Sequence, residues 1–376
     1  MELDEARSAR AQVLLAGELD WTALLKLASR HALAPLLHWH LSRRFPGRAP
    51  QSAAHLLEEQ FRANVQSNLK LAAELIRVLK LLEGEKVFAI PFKGPALTAA
   101  LYGNLALRES SDLDLLLRPD HILRARDVLL ADGYVPEYDL TPAQERALLR
   151  SDCQYTFQKF DGQLRIELHW DIAPRYCGVR LDPGRWFERA QSVTLTSVTV
   201  PSLSPEDLLL VLCVHGAKHA WERAAWIVDV AELLRVYPAL DFTYVAQQAG
   251  AARARRHLRV GLGLANQVFE VQLPPEVARE VEQDGAAQSL IEDACRSLTG
   301  PAPGTWQPHR FMLLMLGPRG RAAYLLGSAL TPTPAEWGLV NLPPFLFPLY
   351  RPLRLARLGA KYAQRVWQAL APARSG

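Results

Sequence analysis

Residues 108–117 read Arg-Glu-Ser-Ser-Asp-Leu-Asp-Leu-Leu-Leu, and this stretch decides the fold. Its apolar run, residues 113–117, predicts a buried strand. Asp112 and Asp114 are two positions apart, so on a strand their side chains point to the same face. Two carboxylates beside a hydrophobic core repel each other and are costly to keep ionised. A divalent cation removes that penalty, and Mg²⁺ held by a few carboxylates completes its shell with substrate phosphates.

A second chemical signal lies just upstream, where residues 92–95 read Phe-Lys-Gly-Pro. A short apolar strand at 87–90 precedes it, and Pro95 suits the first turn of a helix that runs to about Tyr102. Such a strand–Gly–helix turn presents free backbone N–H groups to a triphosphate. Lys93 adds a positive charge. The alternative for Lys93 is an exposed position in a surface turn.

A third acid lies on a later strand. The dipeptide Asp-Gly at 161–162 predicts a hairpin between two strands. The second of these alternates polar and apolar residues, so Arg165, Glu167 and His169 share one face. If this strand pairs beside that of Asp114, Glu167 faces the same cleft. Three carboxylates can hold two Mg²⁺ ions for phosphoryl chemistry.

Helical periodicity flanks this α/β segment on both sides. The clearest N-terminal helix is at 55–83, and Ser-Pro-Glu-Asp at 204–207 starts a second helical region. After residue 84 the predicted helices are 95–102, 120–131, 142–149, 205–221, 224–236 and 251–270, with an extended connector at 342–352. We therefore predict an α+β fold with three units: a helical region (1–84), an α/β core with a small mixed sheet (85–200), and a C-terminal helical domain with a basic tail (201–376).

Composition and charge limit the classes of protein to which the chain can belong. The 376 residues are 49% hydrophobic and 22% charged, as expected of a globular protein. Without a membrane-spanning run or a signal-peptide core, we expect a cytoplasmic location. Four cysteines far apart argue against a disulfide framework or a structural zinc site. From Arg296 onward the chain carries a net +9, which predicts contact with a phosphate-rich partner or an anionic membrane, or else a solvated helical face.

In their order along the chain, these motifs resemble the polymerase-β-like nucleotidyltransferase superfamily, and most closely its bacterial branch known as the uncharacterised nucleotidyltransferase 5 family. The resemblance spans roughly residues 71–236. The resembling segments are FKGPAL at 92–97, Tyr102, Arg108, DLDLL at 112–116, Gly133-Tyr134, ELHW at 167–170, HGAKHAW at 215–221, Trp226 and Asp229.

The resemblance implies an enzyme that transfers a nucleoside monophosphate from an NTP, with release of pyrophosphate. Asp112, Asp114 and Glu167 would be its catalytic residues and metal ligands, with Glu167 a ligand or the base for the acceptor hydroxyl. Pro95 departs from the Gly-Ser or Gly-Gly turn of the superfamily and removes one N–H. The residues assigned to nucleotide binding are Lys93, Gly94, Arg108 and Ser111.

Four further residues are candidates for the substrate pocket: His169, His215, His219 and Asp229. His215 and His219 are four apart on a predicted helix and share a face. That spacing can bind a metal, but apolar residues on the same stripe favour a structural or pocket-lining role. Asp229 lies in an apolar helix and needs a partner. The expected partners are Lys218, His219 and Arg223.

Alternatives stay open at this stage. Asp112 and Asp114 would otherwise lie at a solvated strand edge or pair with Arg108 and Arg118. Glu167 would otherwise pair with Arg165 or Lys159 across the hairpin. The favoured acceptor is a small molecule, ahead of protein or RNA. The competing functions are a non-catalytic nucleotide-binding scaffold and a membrane-surface partner of a biosynthetic pathway.

Overall fold

The computed structural model describes residues 4–300 and 307–370 and shows a helix-rich α+β fold with a mixed sheet, as predicted. Its strands are β1 (Ala89–Pro91), β2 (Leu113–Leu117), β3 (Val135–Pro136), β4 (Gln154–Lys159), β5 (Leu164–His169), β6 (Gln191–Leu195) and β7 (Val198–Ser202). The main sheet has the order β1-β2-β5-β4-β3. In it β2 and β5 run parallel, and the other neighbours run antiparallel. β6 and β7 form a separate hairpin.

Helices flank the sheet along the chain. The first six are α1 (Glu5–Ala16), α2 (Trp21–Arg30), α3 (Ala34–Arg44), α4 (Gln51–Gly84), α5 (Gly94–Tyr102) and α6 (Ile122–Ala131). The next six are α7 (Pro142–Ser151), α8 (Pro183–Glu188), α9 (Pro205–Lys218), α10 (Ala224–Val236), α11 (Phe242–Ala251) and α12 (Arg255–Phe269). The last six are α13 (Pro275–Gln283), α14 (Gly285–Thr299), α15 (Gln307–Met315), α16 (Pro318–Leu330), α17 (Pro334–Trp337) and α18 (Tyr350–Leu370).

The two faces of the sheet have different neighbours because side chains alternate along each strand. On one face, Leu115 and Leu168 pack in a core with the apolar stripe of α4. On the other, Leu116 joins a second core formed with α5, α9, α10 and α12. Asp114 and Glu167 lie on this second face, directly paired across β2 and β5. The two strands do pair, which was the condition for Glu167 to face the same cleft as Asp114, and the C-terminal helices lie over the acids.

The predicted hairpin of β4 and β5 forms, and its register follows from the Asp161-Gly162 turn. Lys159 pairs with Leu164 around that turn, and Gln154 pairs with His169 farther along. The predicted helix at 205–221 is wrong at its end, because α9 stops at Lys218. Ala220 and Trp221 adopt a left-handed backbone there. The turn buries the Trp221 ring against Gly216, where a Cβ would lie only 2.5 Å from the ring.

Other predictions from periodicity alone need correction. The segment predicted as one helix at 251–270 contains a break before Arg255, and α11 was not predicted. The predicted extended connector at 342–352 is a 3₁₀ helix, Pro344–Leu349, followed directly by α18. Proline-rich segments fit the first turn of a helix as well as an extended chain. The hairpin of β6 and β7 was also missed.

The C-terminal basic tail is only partly described, since residues 301–306 and 371–376 lie outside the described residues. Within the described part, Arg354 and Arg357 both pair with buried Glu336. Two arginines of the tail therefore share one buried carboxylate, whose charge is already included in the net +9. No helix in residues 4–300 or 307–370 is both long and apolar enough to cross a membrane. The division into three units stays a prediction.

Candidate active site

A cavity of about 600 Å³ lies between the acidic face of the sheet and the facing ends of α9 and α10. Its strand-side lining includes Lys93, Gly94, Arg108, Ser111, Asp112, Asp114, Gln154, Glu167 and His169. Its helix-side lining includes His215, Lys218, His219, Glu222, Arg223 and Trp226. The structure thus brings ten of the eleven candidate site residues to one cavity. The exception is Asp229, which is buried and pairs with Arg108 of the lining.

Asp114 is the most deeply buried acid of the cavity, with 1% of its surface exposed. Its Oδ1 atom accepts from Lys93 Nζ at 2.7 Å and contacts His169 Nε2 at 3.0 Å. Its Oδ2 atom is buried and has no hydrogen-bond partner within residues 4–300 and 307–370. A buried carboxylate oxygen without a partner is costly. Its position suits a ligand that the protein chain does not itself supply.

Glu167 lies beside Asp114 through the strand register. Its Oε2 atom accepts from Gln154 Nε2 at 2.7 Å and lies 3.3 Å from His169 Nε2. Its Oε1 atom accepts from Arg165 Nε at 3.2 Å. Of the two alternative partners, Arg165 is therefore present. The other, Lys159, is not, because its ammonium pairs with Asp132 at 3.0 Å.

Electrostatics favour ionised acids around the central imidazole. Burial opposes ionisation of Asp114, but the ammonium of Lys93 and the hydrogen bond with His169 outweigh it and hold the Asp114 pKa well below its usual range. Burial also opposes ionisation of Glu167, and the hydrogen bond with His169 reverses this and lowers the Glu167 pKa. For His169, burial disfavours the charged form, yet its hydrogen bonds to Asp114 and Glu167 raise the pKa.

Asp112 differs from the other two acids. It lies one residue before β2, is half-buried and lines the same cavity. Burial and the charge of Asp114 raise the pKa of Asp112 to about 6. The alternative pairing of the two aspartates with Arg108 and Arg118 is wrong. Arg108 binds another acid, and the Arg118 guanidinium lies over the ring of Phe187 at 5.2 Å.

The turn at Gly94 brings the backbone at the start of α5 close to the backbone of Asp112. Gly94 has φ +61°, a left-handed conformation that favours glycine. A Cβ at this position would lie 2.9 Å from the carbonyl oxygen of Asp112. Glycine therefore allows the start of α5 to approach the aspartate strand closely. Lys93 is not simply exposed in this turn, because its ammonium reaches Asp114.

Asp229 has a different partner from those predicted. Its carboxylate pairs with Arg108, with Nε to Oδ1 at 2.8 Å and Nη2 to Oδ2 at 3.0 Å. The hydroxyl of Tyr102 donates to Oδ1 at 2.7 Å. Neither Lys218, His219 nor Arg223 pairs with it. No local pattern indicates these contacts, because Asp229 and its two partners lie on segments that only packing brings together.

His215, His219 and Trp226 form an aromatic cluster on the helix-side wall. The His219 and Trp226 ring centres are 5.2 Å apart, and those of His215 and Trp226 are 5.4 Å apart. Burial, together with the charges of Lys218 and Lys93, lowers the pKa of His219 to about 3. Burial likewise holds the pKa of His215 well below its usual range. Both rings are therefore neutral at pH 7.

One cluster within residues 4–300 and 307–370 has donors close enough to hold a metal ion: Asp114, Glu167 and His169. Their donor atoms lie within 4.8 Å of one another. The cluster includes His169, which the sequence suggested only for the substrate pocket, and it does not include Asp112. His215 and His219 are also outside it, as their apolar neighbours indicated.

The polar lining residues that were not predicted for the site include Gln154, Lys218 and Arg223. The position of Gln154 follows from the hairpin register, because an Asp161-Gly162 turn places it opposite His169. Lys218 Nζ lies 3.5 Å from the carbonyl oxygen of Ile172 and 3.9 Å from Cys153 Sγ. In the described part of the chain, no carboxylate forms an ion pair with Lys218. Its place in the last turn of α9, three residues after His215, was the available signal.

A comparison with known families agrees with this geometry. The sequence model of a family described as an uncharacterised nucleotidyltransferase matches residues 17–270, well over half of the chain. The protein therefore belongs to this nucleotidyltransferase family and is a transferase. No match was found among curated proteins or among solved structures.

Proposed function

We propose that this protein is a divalent-metal-dependent enzyme that transfers a nucleoside monophosphate from an NTP to a hydroxyl group of a small molecule, with release of pyrophosphate. One observation carries the proposal. Among the described residues, the buried Oδ2 atom of Asp114 has no hydrogen-bond partner, and Asp114 lines the cavity together with Glu167, in a chain of a nucleotidyltransferase family. A nucleotide-binding scaffold without catalysis has no need of such a costly carboxylate cluster.

The acids of the cavity fit a divalent cation. Asp114 and Glu167 are close enough to share one ion, and Asp112 lies two residues from Asp114 at the same cavity. The ion expected for carboxylate ligands and phosphate substrates is Mg²⁺, with two ions expected from the family resemblance. When bound, it would stabilise negative charge on the phosphoryl group.

The remaining residues would bind and orient the nucleotide. The backbone N–H groups at the start of α5, next to Gly94, suit phosphate oxygens, and Ser111 lies at the open side of the cavity. Lys218 and Arg223 bring positive charge from the opposite wall. Arg108 would act indirectly, since its guanidinium is engaged by Asp229.

The neutral aromatic wall would bind a flat ring. Trp226 and His219 expose ring surface to the cavity, and the Arg223 guanidinium lies 5.9 Å from the Trp226 ring. Stacking of a base on an aromatic side chain is worth about 1–3 kcal/mol. Either the nucleobase or a ring of the acceptor fits this wall. A protein or RNA acceptor is the alternative, and contact of the basic tail with membranes stays a prediction.

The decisive experiment incubates the full-length protein with each α-labelled NTP, a divalent ion and a small-molecule extract, and follows labelled product and pyrophosphate. Asp114→Asn keeps the size of the side chain and removes its charge, so we expect a loss of at least about 10³-fold in rate. The control is Asp120→Asn, which alters an exposed acid outside the cavity. Equal rates for wild type and Asp114→Asn would refute the assignment of Asp114. NTP binding without turnover in any extract would favour the scaffold function.

A further inference from the structure

His169 is the residue of the cluster whose part in the proposed function is still undefined. It lies at the end of β5, two residues after Glu167 on the same face, and opposite Gln154. Only 4% of its side chain is exposed. The ring of Phe92 packs edge-on against it at 5.1 Å. The imidazole is therefore held firmly with Nε2 directed at the two acids.

The distances from His169 Nε2 to the two acids fit neighbouring ligands on one metal ion as well as they fit hydrogen bonds. His169 Nε2 lies 3.0 Å from Asp114 Oδ1 and 3.3 Å from Glu167 Oε2. In an octahedral shell with bonds of about 2.1 Å, adjacent donors are about 3 Å apart. The imidazole nitrogen and one oxygen of each acid can thus share an ion with little rearrangement.

A purely hydrogen-bonding role leaves part of this geometry unexplained. It would account for the contacts of Nε2, but not for the buried Oδ2 atom of Asp114, which has no partner. Asp114 already receives Lys93 and His169 on the same oxygen, Oδ1. The second carboxylate oxygen of Asp114 is therefore desolvated and available to bind a metal ion.

We infer that His169 is a ligand of the ion held by Asp114 and Glu167, and that this nitrogen makes the site prefer Mn²⁺ over Mg²⁺. Mg²⁺ favours shells of oxygen alone, whereas imidazole suits first-row transition ions. The inference rests on the proposed function in taking the two acids as metal ligands. It does not depend on which NTP or acceptor reacts.

The test uses pulsed electron paramagnetic resonance on the full-length protein loaded with Mn²⁺ in the absence of nucleotide. We expect nitrogen coupling from a directly bound imidazole in the wild type. The coupling should disappear in His169→Asn and persist in His219→Asn, which alters another histidine of the same cavity. Labelling the wild type with ¹⁵N-histidine should change the coupling pattern, so the result does not depend on the folding of any variant.

Calorimetry provides the second measurement. We expect a Kd for Mn²⁺ at least about tenfold below that for Mg²⁺ in the wild type, and a smaller ratio in His169→Asn. Mn²⁺ binding without nitrogen coupling would overturn the role of His169 and leave the proposed function intact. Nitrogen-coupled Mn²⁺ in a protein that transfers no nucleotide would support His169 and refute the proposed function. Absence of Mn²⁺ binding at millimolar concentration would overturn the role of His169, and the nucleotidyl-transfer assay would then decide the proposed function separately.

Discussion

Gly94 shows how one residue couples backbone conformation to the acidic cluster. Its left-handed φ favours glycine, and a Cβ at this position would lie only 2.9 Å from the carbonyl oxygen of Asp112. Gly103, at the other end of α5, has a similar φ of +63°, but a Cβ there would meet nothing within 4 Å. A comparison of substitutions at the two glycines therefore distinguishes the effect of backbone strain from the effect of steric contact.

We predict that Gly103→Ala lowers the free energy of unfolding by about 1–2 kcal/mol, because it places alanine in the left-handed region. Gly94→Ala should cost more, because its Cβ would also clash with the backbone carbonyl oxygen of Asp112. Only Gly94→Ala should also displace Asp112 and reduce nucleotidyl transfer. Chemical denaturation and activity assays check this pair. If both variants lost activity to the same extent, the close approach to Asp112 would not matter for the site.

The Arg108–Asp229 ion pair links two secondary-structure elements around the site. It joins the segment before β2 to α10, and both side chains are nearly inaccessible, with 10% and 1% exposed. Arg108 also contacts Ser110 Oγ at 3.4 Å. The pair thus ties the strand that carries Asp114 to the helix that carries Trp226.

We predict that Asp229→Asn lowers the free energy of unfolding by about 3–5 kcal/mol, because it leaves the Arg108 cation buried without a counter-charge. Glu58→Gln is the control, since it breaks an exposed pair with Arg62 and should cost less than about 0.5 kcal/mol. Thermal and urea unfolding measure both changes. A cost for Asp229→Asn as small as that of the control would show that the pair does not join the elements.

A second buried acid secures the C-terminal helices. Glu336, fully buried in α17, accepts from Arg354 Nη1 at 3.2 Å and from Thr333 Oγ1 at 2.8 Å, and it also pairs with Arg357. We predict that Glu336→Gln costs about 3 kcal/mol in local stability. Hydrogen exchange should then accelerate in α17 and α18 but not in the main sheet, and exposed Glu292→Gln should change neither. Uniform acceleration across the chain would contradict this local role.

For the molecule as a whole, the stability in acid depends on buried histidines that are neutral in the folded state. His257 in α12 is 2% exposed, and its Nδ1 has no hydrogen-bond partner in the part of the chain that the structure describes. Burial together with Arg256 lowers its pKa to about 4. Between the unfolded value of about 6.5 and pH 4, only the unfolded chain binds this proton. Stability should therefore fall as the pH decreases through this range.

We predict that His257→Gln reduces the loss of stability between pH 7 and pH 5 by about 2 kcal/mol relative to the wild type. The exposed His55→Gln variant should follow the wild-type profile. Urea unfolding across this pH range makes the comparison. Parallel profiles for wild type and His257→Gln would mean that this histidine does not contribute to acid unfolding.

Much of the fold was predictable because its signals are local. Apolar runs, the Pro95 helix start and the Asp161-Gly162 turn act within a few residues, and each forms as expected. The α11 helix and the β6–β7 hairpin were missed where periodicity was weak. The parallel pairing of β2 and β5 was anticipated only conditionally, because strand order depends on how the intervening chain packs.

The sequence by itself determined the acids on one strand face, the glycine turn and the third acid on a later strand. These follow from side-chain alternation and turn chemistry, which are properties of neighbouring residues. Only the tertiary structure decided that Lys93 reaches Asp114, that Arg108 binds Asp229, and that His169 lies between the two paired acids. Such contacts join segments far apart in the chain, so they depend on how the sheet and the helices pack together.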